Sequence, residues 1–203
     1  MRNLDMATGY QPLIDHLLRF YDFAGKTVLL VGAGSGRLLN PAVKTRKIIA
    51  VDRDTGALAR LKTNLVAKGI RARVETVCAR FEDVTSPADV VYFEFCLHEM
   101  ADPEVALSRA RTLAPDIVVY DHSAGSEWSF QAAEDDKIRR SCAAIERFGI
   151  RRRDHVLFEQ RFKTHAELLA KLTPQGPAAI RRAQSFAGSS NIVIPMPCEL
   201  LLL

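Results

Sequence analysis

The sequence predicts an α/β fold with one mostly parallel sheet. Three observations carry this. Short β-prone runs alternate with amphipathic stretches of helical spacing. The runs are continuously apolar, as strands buried on both faces require. The first of them ends in a glycine-rich turn that leads into a helix, the usual opening of a ligand-binding α/β unit.

In chain order, "QPLIDHLLRFYDFA" (11–24) carries Leu13, Leu17, Leu18 and Tyr21 at helical spacing and is predicted as a helix, with Tyr21 in the core. "KTVLLVG" (26–32) is the first strand, "RLLNPAVK" a helical stretch limited by Pro41, and "KIIAVD" (47–52) the second strand. "TGALARLKTNLVAKG" is an amphipathic helix capped by Gly69, and "RARVETVC" is the third strand. "ADVVYFEF" (88–95) is the fourth, and Asp102 then caps a helix with Pro103 at its first position. "DIVVYDH" (116–122), the helix "QAAEDDKIRRSCAAIERFG" and the strand "DHVLFEQRF" follow. Helical "THAELLAKL" and "PAAIRRAQSFAG" come next, and "NIVIPMPCELLLL" closes the chain. Pro195 and Pro197 in this last strand predict an edge position or a bulge. The whole is a Rossmann-like sheet of seven strands, mostly parallel, with helices on both faces and a closing antiparallel strand. Residues 1–203 are expected to form one domain, with 1–24 as an N-terminal helical cover and 25–203 as the core.

The bulk properties fit an ordinary soluble protein. Apolar residues make up 48% and charged residues 26% of 203, and the net charge is +4. That mild excess does not by itself call for nucleic acid, and "RRRDH" (151–155) and Arg181-Arg182 read as solvated surface. The cysteines at 78, 96, 142 and 198 form no CxxC pair, which argues against a zinc ribbon or a disulfide framework. No apolar signal core opens the chain, and "CELLLL" is too short to span a bilayer. A cytoplasmic protein with no membrane contact, monomeric or homodimeric, is the expectation.

"VGAGSGR" places Gly32, Gly34 and Gly36 between a strand and a helix, where glycine allows a tight turn and close approach to a ligand. The spacing is GxGxG, unlike the GxGxxG of dinucleotide enzymes. Asp52 ends the second strand about 20 residues on, where an acid accepts hydrogen bonds from ribose hydroxyls. In sheets of this kind ligands bind at the carboxyl ends of strands, where strand order reverses.

"VLLVGAGSGRL", "IIAVDRD", "ARFEDV" and "LHEMADPEVALSRARTLAPD" together resemble the successive motifs of class I S-adenosylmethionine-dependent methyltransferases, nearest the ubiquinone/menaquinone-biosynthesis-like subgroup. The resemblance covers residues 26 to 122. It implies S-adenosylmethionine as cofactor, with the glycine loop on its methionyl part and Asp52 on its ribose. It also places Arg53, Arg80 and Phe81 around the adenine and Glu94 and Phe95 near the sulfonium. Two positions depart from the family. Leu30 replaces an acid two residues before the first glycine, and Arg80 stands where an adenine-binding Asp is common. Adenine would then be read by backbone groups and by stacking on Phe81.

Methyl transfer needs alignment of a nucleophile behind the methyl group, and a base only where the nucleophile carries a proton of high pKa. His98, just past the fourth strand, is the catalytic candidate, as base or as substrate orienter; the alternative is an imidazole that satisfies loop backbone. Cys96 reads as packing. Glu99, Asp121 and His122 are candidates for a polar substrate rim with His98, and Glu99 alternatively for a solvated turn. No fixed ligand spacing marks a metal site there. Tyr10 and Trp128 are candidate aromatic walls. The function expected is methyl transfer to a small-molecule acceptor. The alternatives are an RNA- or nucleotide-directed methyltransferase, and a methyltransferase-like binding or regulatory protein without activity.

Overall fold

The computed structural model describes residues 2–5, 11–34, 36, 44–67, 69, 71–127 and 132–203. The expected helical stretch "RLLNPAVK", apart from Lys44, and the candidate walls Tyr10 and Trp128 lie outside the described residues.

The strands are β1 (Arg2–Asp5), β2 (Thr27–Val31), β3 (Lys47–Asp52), β4 (Val74–Cys78), β5 (Val90–Glu94), β6 (Asp116–His122), β7 (Arg152–Thr164) and β8 (Ser190–Leu202). The helices are α1 (Gln11–Phe20), α2 (Thr55–Ala67), α3 (Pro103–Leu113), α4 (Ala132–Phe148), α5 (His165–Leu172) and α6 (Pro177–Ala183). One sheet holds all the strands in the order β1-β7-β8-β6-β5-β2-β3-β4. The seven expected strands are present. β1 is an addition, pairing in parallel with Val156–Glu159 of β7. β8 runs antiparallel to both β6 and β7, and every other pairing is parallel.

Burial explains the continuous apolar runs. Leu30, Ala50, Tyr92, Val118 and Tyr120 face one side of the sheet, against Leu13 and Leu17 of α1 and Leu58, Leu61 and Leu65 of α2. Leu29, Val31, Val91, Phe93 and Val119 face the other, against Leu107 and Ala110 of α3 and Ile145 of α4. Alternate residues of one strand therefore serve two cores, and neither set can be polar. Tyr21 joins the first core, as its spacing predicts. Asp102 caps α3 by accepting from Glu104 N at 2.9 Å and Val105 N at 3.1 Å.

β8 corrects the reading of its prolines as marks of an edge position or a bulge, since its register with β7 is unbroken. It lies inside the sheet, but it outruns β6, whose last pairing is His122 with Cys198. Beyond that point Pro197 O accepts from Ser123 N at 3.0 Å and Pro195 O from Glu127 N at 3.1 Å. The N and O of one strand residue point to the same side, so the missing N–H of each proline falls on this locally open side, away from β7. The overhanging β7–β8 hairpin carries α5 and α6 on its own small core of Phe162, Leu168, Leu172, Ala179, Ala183, Ile192 and Ile194. Among the described residues, no helix is long and apolar enough to cross a membrane.

The basic run 151–153 is exposed, yet each guanidinium is engaged. Arg151 binds Asp116 at 2.7 Å and Arg152 binds Phe20 O at 2.7 Å, while Arg153 pairs with Glu146. Asp116 also accepts from Tyr21 Oη at 2.5 Å, and Lys26 donates to that same phenol oxygen at 2.9 Å. Partial burial alone would raise the Asp116 pKa. The hydrogen bonds from Tyr21 and Arg151, with the charges of Arg151 and Lys26, outweigh it and hold the carboxyl below its ordinary value.

A carboxylate with a depressed folded-state pKa contributes stability above its unfolded pKa of about 4 and loses it as the pH falls through the folded value. Asp116→Asn is therefore expected to cost about 1 kcal/mol at neutral pH, discounted for partial exposure. Thermal unfolding of the two proteins should converge in strong acid. An equal gap at both pH values would contradict an electrostatic role.

Candidate functional site

Strand order reverses between β2 and β5: the chain runs outward through β3 and β4 on one side of this pair and through β6 on the other. Both loops that carry sequence signals leave the carboxyl ends of this pair. Gly32 and Gly34 have φ of 67° and 51°, in the left-handed region. A Cβ on Gly32 would lie 2.5 Å from Cys96 Cβ and 2.7 Å from its Sγ. The glycine is therefore required twice, by its backbone angle and by the residue that follows β5. Cys96 is buried, which pushes its thiol pKa well up, and its Sγ lies 3.2 Å from Val31 O. It packs the two loops together, in line with the reading from sequence.

Asp52 at the end of β3 braces the glycine loop. Its Oδ2 accepts from Gly34 N at 2.8 Å and its Oδ1 from Asp54 N at 2.9 Å. Each oxygen retains capacity for a further donor. A cleft of about 520 Å³ opens beside it, lined among others by Gly32, Asp52, Arg53, Arg80, Phe81 and Glu99. That volume suits a small-molecule ligand. Arg53 and Arg80 are exposed, and Arg80 is 3.5 Å from Glu82. Phe81 departs from its expected use. Its residue is 3% exposed and the ring packs edge-on to Phe93 at 5.3 Å, so little ring surface remains for stacking adenine.

Glu94 and Phe95 are not among the residues lining this cleft. Strand alternation puts Glu94 on the same face as Val90 and Tyr92, the α1/α2 side. Phe95 has φ of 49°, rare for an aromatic residue and often a mark of a functional turn. Its N donates to Tyr120 O at 2.8 Å, and its ring stacks on Tyr120 at 5.0 Å.

His98, Glu99, Asp121 and His122 do converge, but not as one substrate rim. His98 sits on a single helical turn, Leu97–Glu99. Its Nδ1 is 2.5 Å from Asp121 Oδ1, and its backbone N donates to Asp121 Oδ2 at 3.0 Å. His122 N donates to Asp121 Oδ1 at 2.8 Å. Asp121 is 2% exposed with both oxygens engaged, so it supports His98 from within and is not presented to a substrate. It accepts from Nδ1–H, which leaves Nε2 facing the Glu99 and Glu134 carboxylates. Burial would lower the His98 pKa, but the Asp121 hydrogen bond and charge, with Glu99 and Glu134, outweigh it and raise it. Burial would raise the Asp121 pKa, but the hydrogen bond and charge of His98, with His122, outweigh it and lower it. His122 is buried too, which drops its pKa to about 4 and keeps it neutral. Its ring is 5.3 Å from that of His98, edge-on, and its Nδ1 is 3.2 Å from Ser126 Oγ.

Two groups of residues are not legible as site residues from sequence. Glu134 and Lys137, three apart on α4, reach the turn after β5. Lys137 binds Glu99 at 2.9 Å and Glu134 at 3.0 Å, and these carboxylates lie 3.6 and 3.9 Å from His98 Nε2. Their spacing on a predicted helix is visible, but nothing local indicates the target. The second group pins α1 to the sheet: buried His16 holds Tyr120 Oη at 3.1 Å and Asp154 Oδ2 at 2.9 Å.

Residues 28–116 match the sequence profile of the family described as "Methyltransferase domain". No curated protein matches the chain in sequence. In structure, the chain is similar to the YcgJ protein of Bacillus subtilis, at 13% identity over 93% of this chain and 96% of that one, with a TM-score of 0.67. It is similar to a SAM dependent methyltransferase from Aquifex aeolicus, at 16% identity over 93% and 88%, with a TM-score of 0.57. It is also similar to precorrin 8w decarboxylase of Methanobacterium thermoautotrophicum, at 14% identity over 95% and 89%, with a TM-score of 0.58. At such identities the structural likeness establishes the fold.

The glycine loop gives a graded prediction. Gly32→Ala meets both a positive φ and the Cys96 side chain, and should cost about 2–4 kcal/mol of stability. Among the described residues, Gly34→Ala meets no atom closer than 3.8 Å and should cost only its backbone strain, about 1 kcal/mol. Chemical denaturation of both variants reads the difference, and equal losses would mean that the Cys96 contact is unimportant.

Proposed function

We propose that this chain, a methyltransferase that takes its methyl group from S-adenosylmethionine, delivers it to a small-molecule acceptor beside His98 and Glu99. The single observation that carries this reading is the cleft at the β2/β5 switch point. Asp52 and the glycine loop form one wall and Glu99, neighbour of His98, lines another. When bound, the cofactor supplies a sulfonium electrophile, so the protein's work is to align the acceptor and exclude water.

Gly32, Gly34 and Gly36 take the methionyl portion, where the absence of Cβ atoms lets a ligand approach the backbone closely. Asp52 accepts from the ribose hydroxyls with the capacity left on its two oxygens. Arg53 and Arg80 flank the adenine end of the cleft. Glu94 and Phe95, which lead into the cleft residue Cys96, are assigned to the sulfonium end of the cofactor. His98 serves as orienter of the acceptor, fixed at both its ring and its backbone by Asp121.

Two features support a small acceptor. The β7–β8 hairpin with α5 and α6 extends past the carboxyl end of β6, on the side of the sheet where the acceptor would enter. The basic run 151–153, the chain's candidate for tracking nucleic-acid phosphates, is engaged by Asp116, Phe20 O and Glu146. The ubiquinone/menaquinone-like subgroup remains a suggestion of the sequence motifs alone.

Calorimetry should detect one S-adenosylmethionine, or one molecule of its demethylated product, per chain. Asp52→Ala should weaken that binding at least tenfold, as two charge-assisted hydrogen bonds are lost. Unchanged affinity would remove Asp52 from the site. His98→Ala should bind the cofactor within a few-fold of wild type yet lower the rate of demethylated-cofactor release in an acceptor screen. Full activity would leave His98 structural.

A further inference from the structure

Three donor atoms from separate positions on the chain converge next to the cleft. His98 Nε2 lies 3.6 Å from Glu99 Oε1 and 3.9 Å from Glu134 Oε2, and the three atoms lie within 4.8 Å of one another. Each donor is fixed from behind. Asp121 takes Nδ1 of the imidazole, leaving Nε2 turned inward. Lys137 takes Glu99 Oε2 at 2.9 Å and Glu134 Oε1 at 3.0 Å, so it holds the outer oxygen of each carboxylate and leaves the inner one facing Nε2. No hydrogen bond to Nε2 is found among the described residues, although the His98 side chain is only 5% exposed.

The charges do not balance. Asp121, Glu99 and Glu134 bring three negative charges, Lys137 returns one, and two remain when His98 is neutral. The Glu134 and Asp121 side chains are 12% and 3% exposed, so water screens these two charges poorly, while Glu99 at 45% is better solvated. A tetrahedral metal with bonds of about 2.0–2.1 Å sets its ligand atoms roughly 3.3–3.4 Å apart. The observed edges to Nε2 are a few tenths of an ångström longer and would close with small side-chain rotations. An outer carboxylate on a ligating histidine, with partners on the ligating carboxylates, is also how protein metal sites orient their ligands.

We propose that His98 Nε2, Glu99 Oε1 and Glu134 Oε2 form a divalent-metal site, supported by Asp121 and Lys137, at the Glu99 edge of the cleft. One imidazole and two carboxylates, with no thiolate, suit a first-row cation such as manganese(II), iron(II) or zinc(II). The three ligands leave coordination positions open, as a catalytic site does and a structural one does not. His98/Asp121/His122 makes a poorer site, because both Asp121 oxygens already accept hydrogen bonds.

The test uses the full chain, freed of metal with a chelator and titrated with manganese(II), the free ion being followed by electron paramagnetic resonance. One manganese(II) per chain is expected. His98→Ala and Glu134→Gln should each weaken binding at least tenfold, and Asp121→Asn about tenfold through the outer support. Glu99→Gln is the second carboxylate variant, in case Glu134→Gln fails to fold, and circular dichroism checks each protein. Arg139→Ala, on the exposed side of α4, should bind as wild type does. The proposal is overturned by no saturable uptake up to millimolar manganese(II), by variants that bind as wild type does, or by equal loss in Arg139→Ala. Cofactor calorimetry on the same samples separates this outcome from failure of the methyl-transfer reading, since cofactor binding with no metal uptake sinks only the metal site.

Discussion

The site depends on how closely two backbones approach at the carboxyl ends of β2 and β5. Gly32 and Cys96 occupy space that admits no additional carbon atom. This contact brings the glycine loop, which Asp52 braces through Gly34 N, against the turn that carries His98 and Glu99. Parallel pairing of Val28–Val31 with Val90–Phe93 sets the two strand ends level. The strands leave in opposite directions across the sheet from here, so a crevice opens without any special insertion. The chemistry of the molecule is thus an outcome of strand order, and the glycine is the condition for it.

The two ends of the sheet are built differently. At the amino ends, Tyr21, Lys26, Asp116 and Arg151 satisfy one another in a compact ionic network that ties the segment after α1 to β6 and to the residue before β7. Nothing there lines the cleft. At the carboxyl ends, carboxylates outnumber cations among the described residues: Asp121, Glu99 and Glu134 surround the His98 imidazole, and Lys137 pairs with two of them. Partly buried charge of one sign is costly for a fold to keep, and clusters of this kind concentrate at functional sites.

Much of this could be read from the residues in order. Continuous apolar runs forecast strands buried on both sides, and the positions of Gly32, Asp52 and His98 forecast which strand ends matter. The local rules failed where the partner was distant or the context was global. Pro195 and Pro197 speak truly of an unpaired N–H, but an interior strand that outruns its neighbour offers the same freedom as an edge. Phe81 reads as a stacking partner for adenine, yet its ring packs edge-on against Phe93. Asp121 reads as a rim residue, and only the tertiary structure reveals that His98 consumes it. Glu134 lies 36 residues beyond His98 across a loop, and His16 meets Asp154 at a separation of 138 residues. No periodicity in the sequence encodes either meeting.

The fold admits more than one chemistry, since a decarboxylase shares it with methyltransferases, so the account rests on what occupies the β2/β5 crevice. The most direct measurement is a crystal structure of the full chain with the demethylated cofactor. The account predicts ribose hydroxyls within hydrogen-bond distance of Asp52, the methionyl tail along Gly32 to Gly36, and the thioether sulfur toward the turn at Phe95–His98. A ligand bound elsewhere, or an Asp52 carboxylate that leaves the ribose untouched, would contradict it.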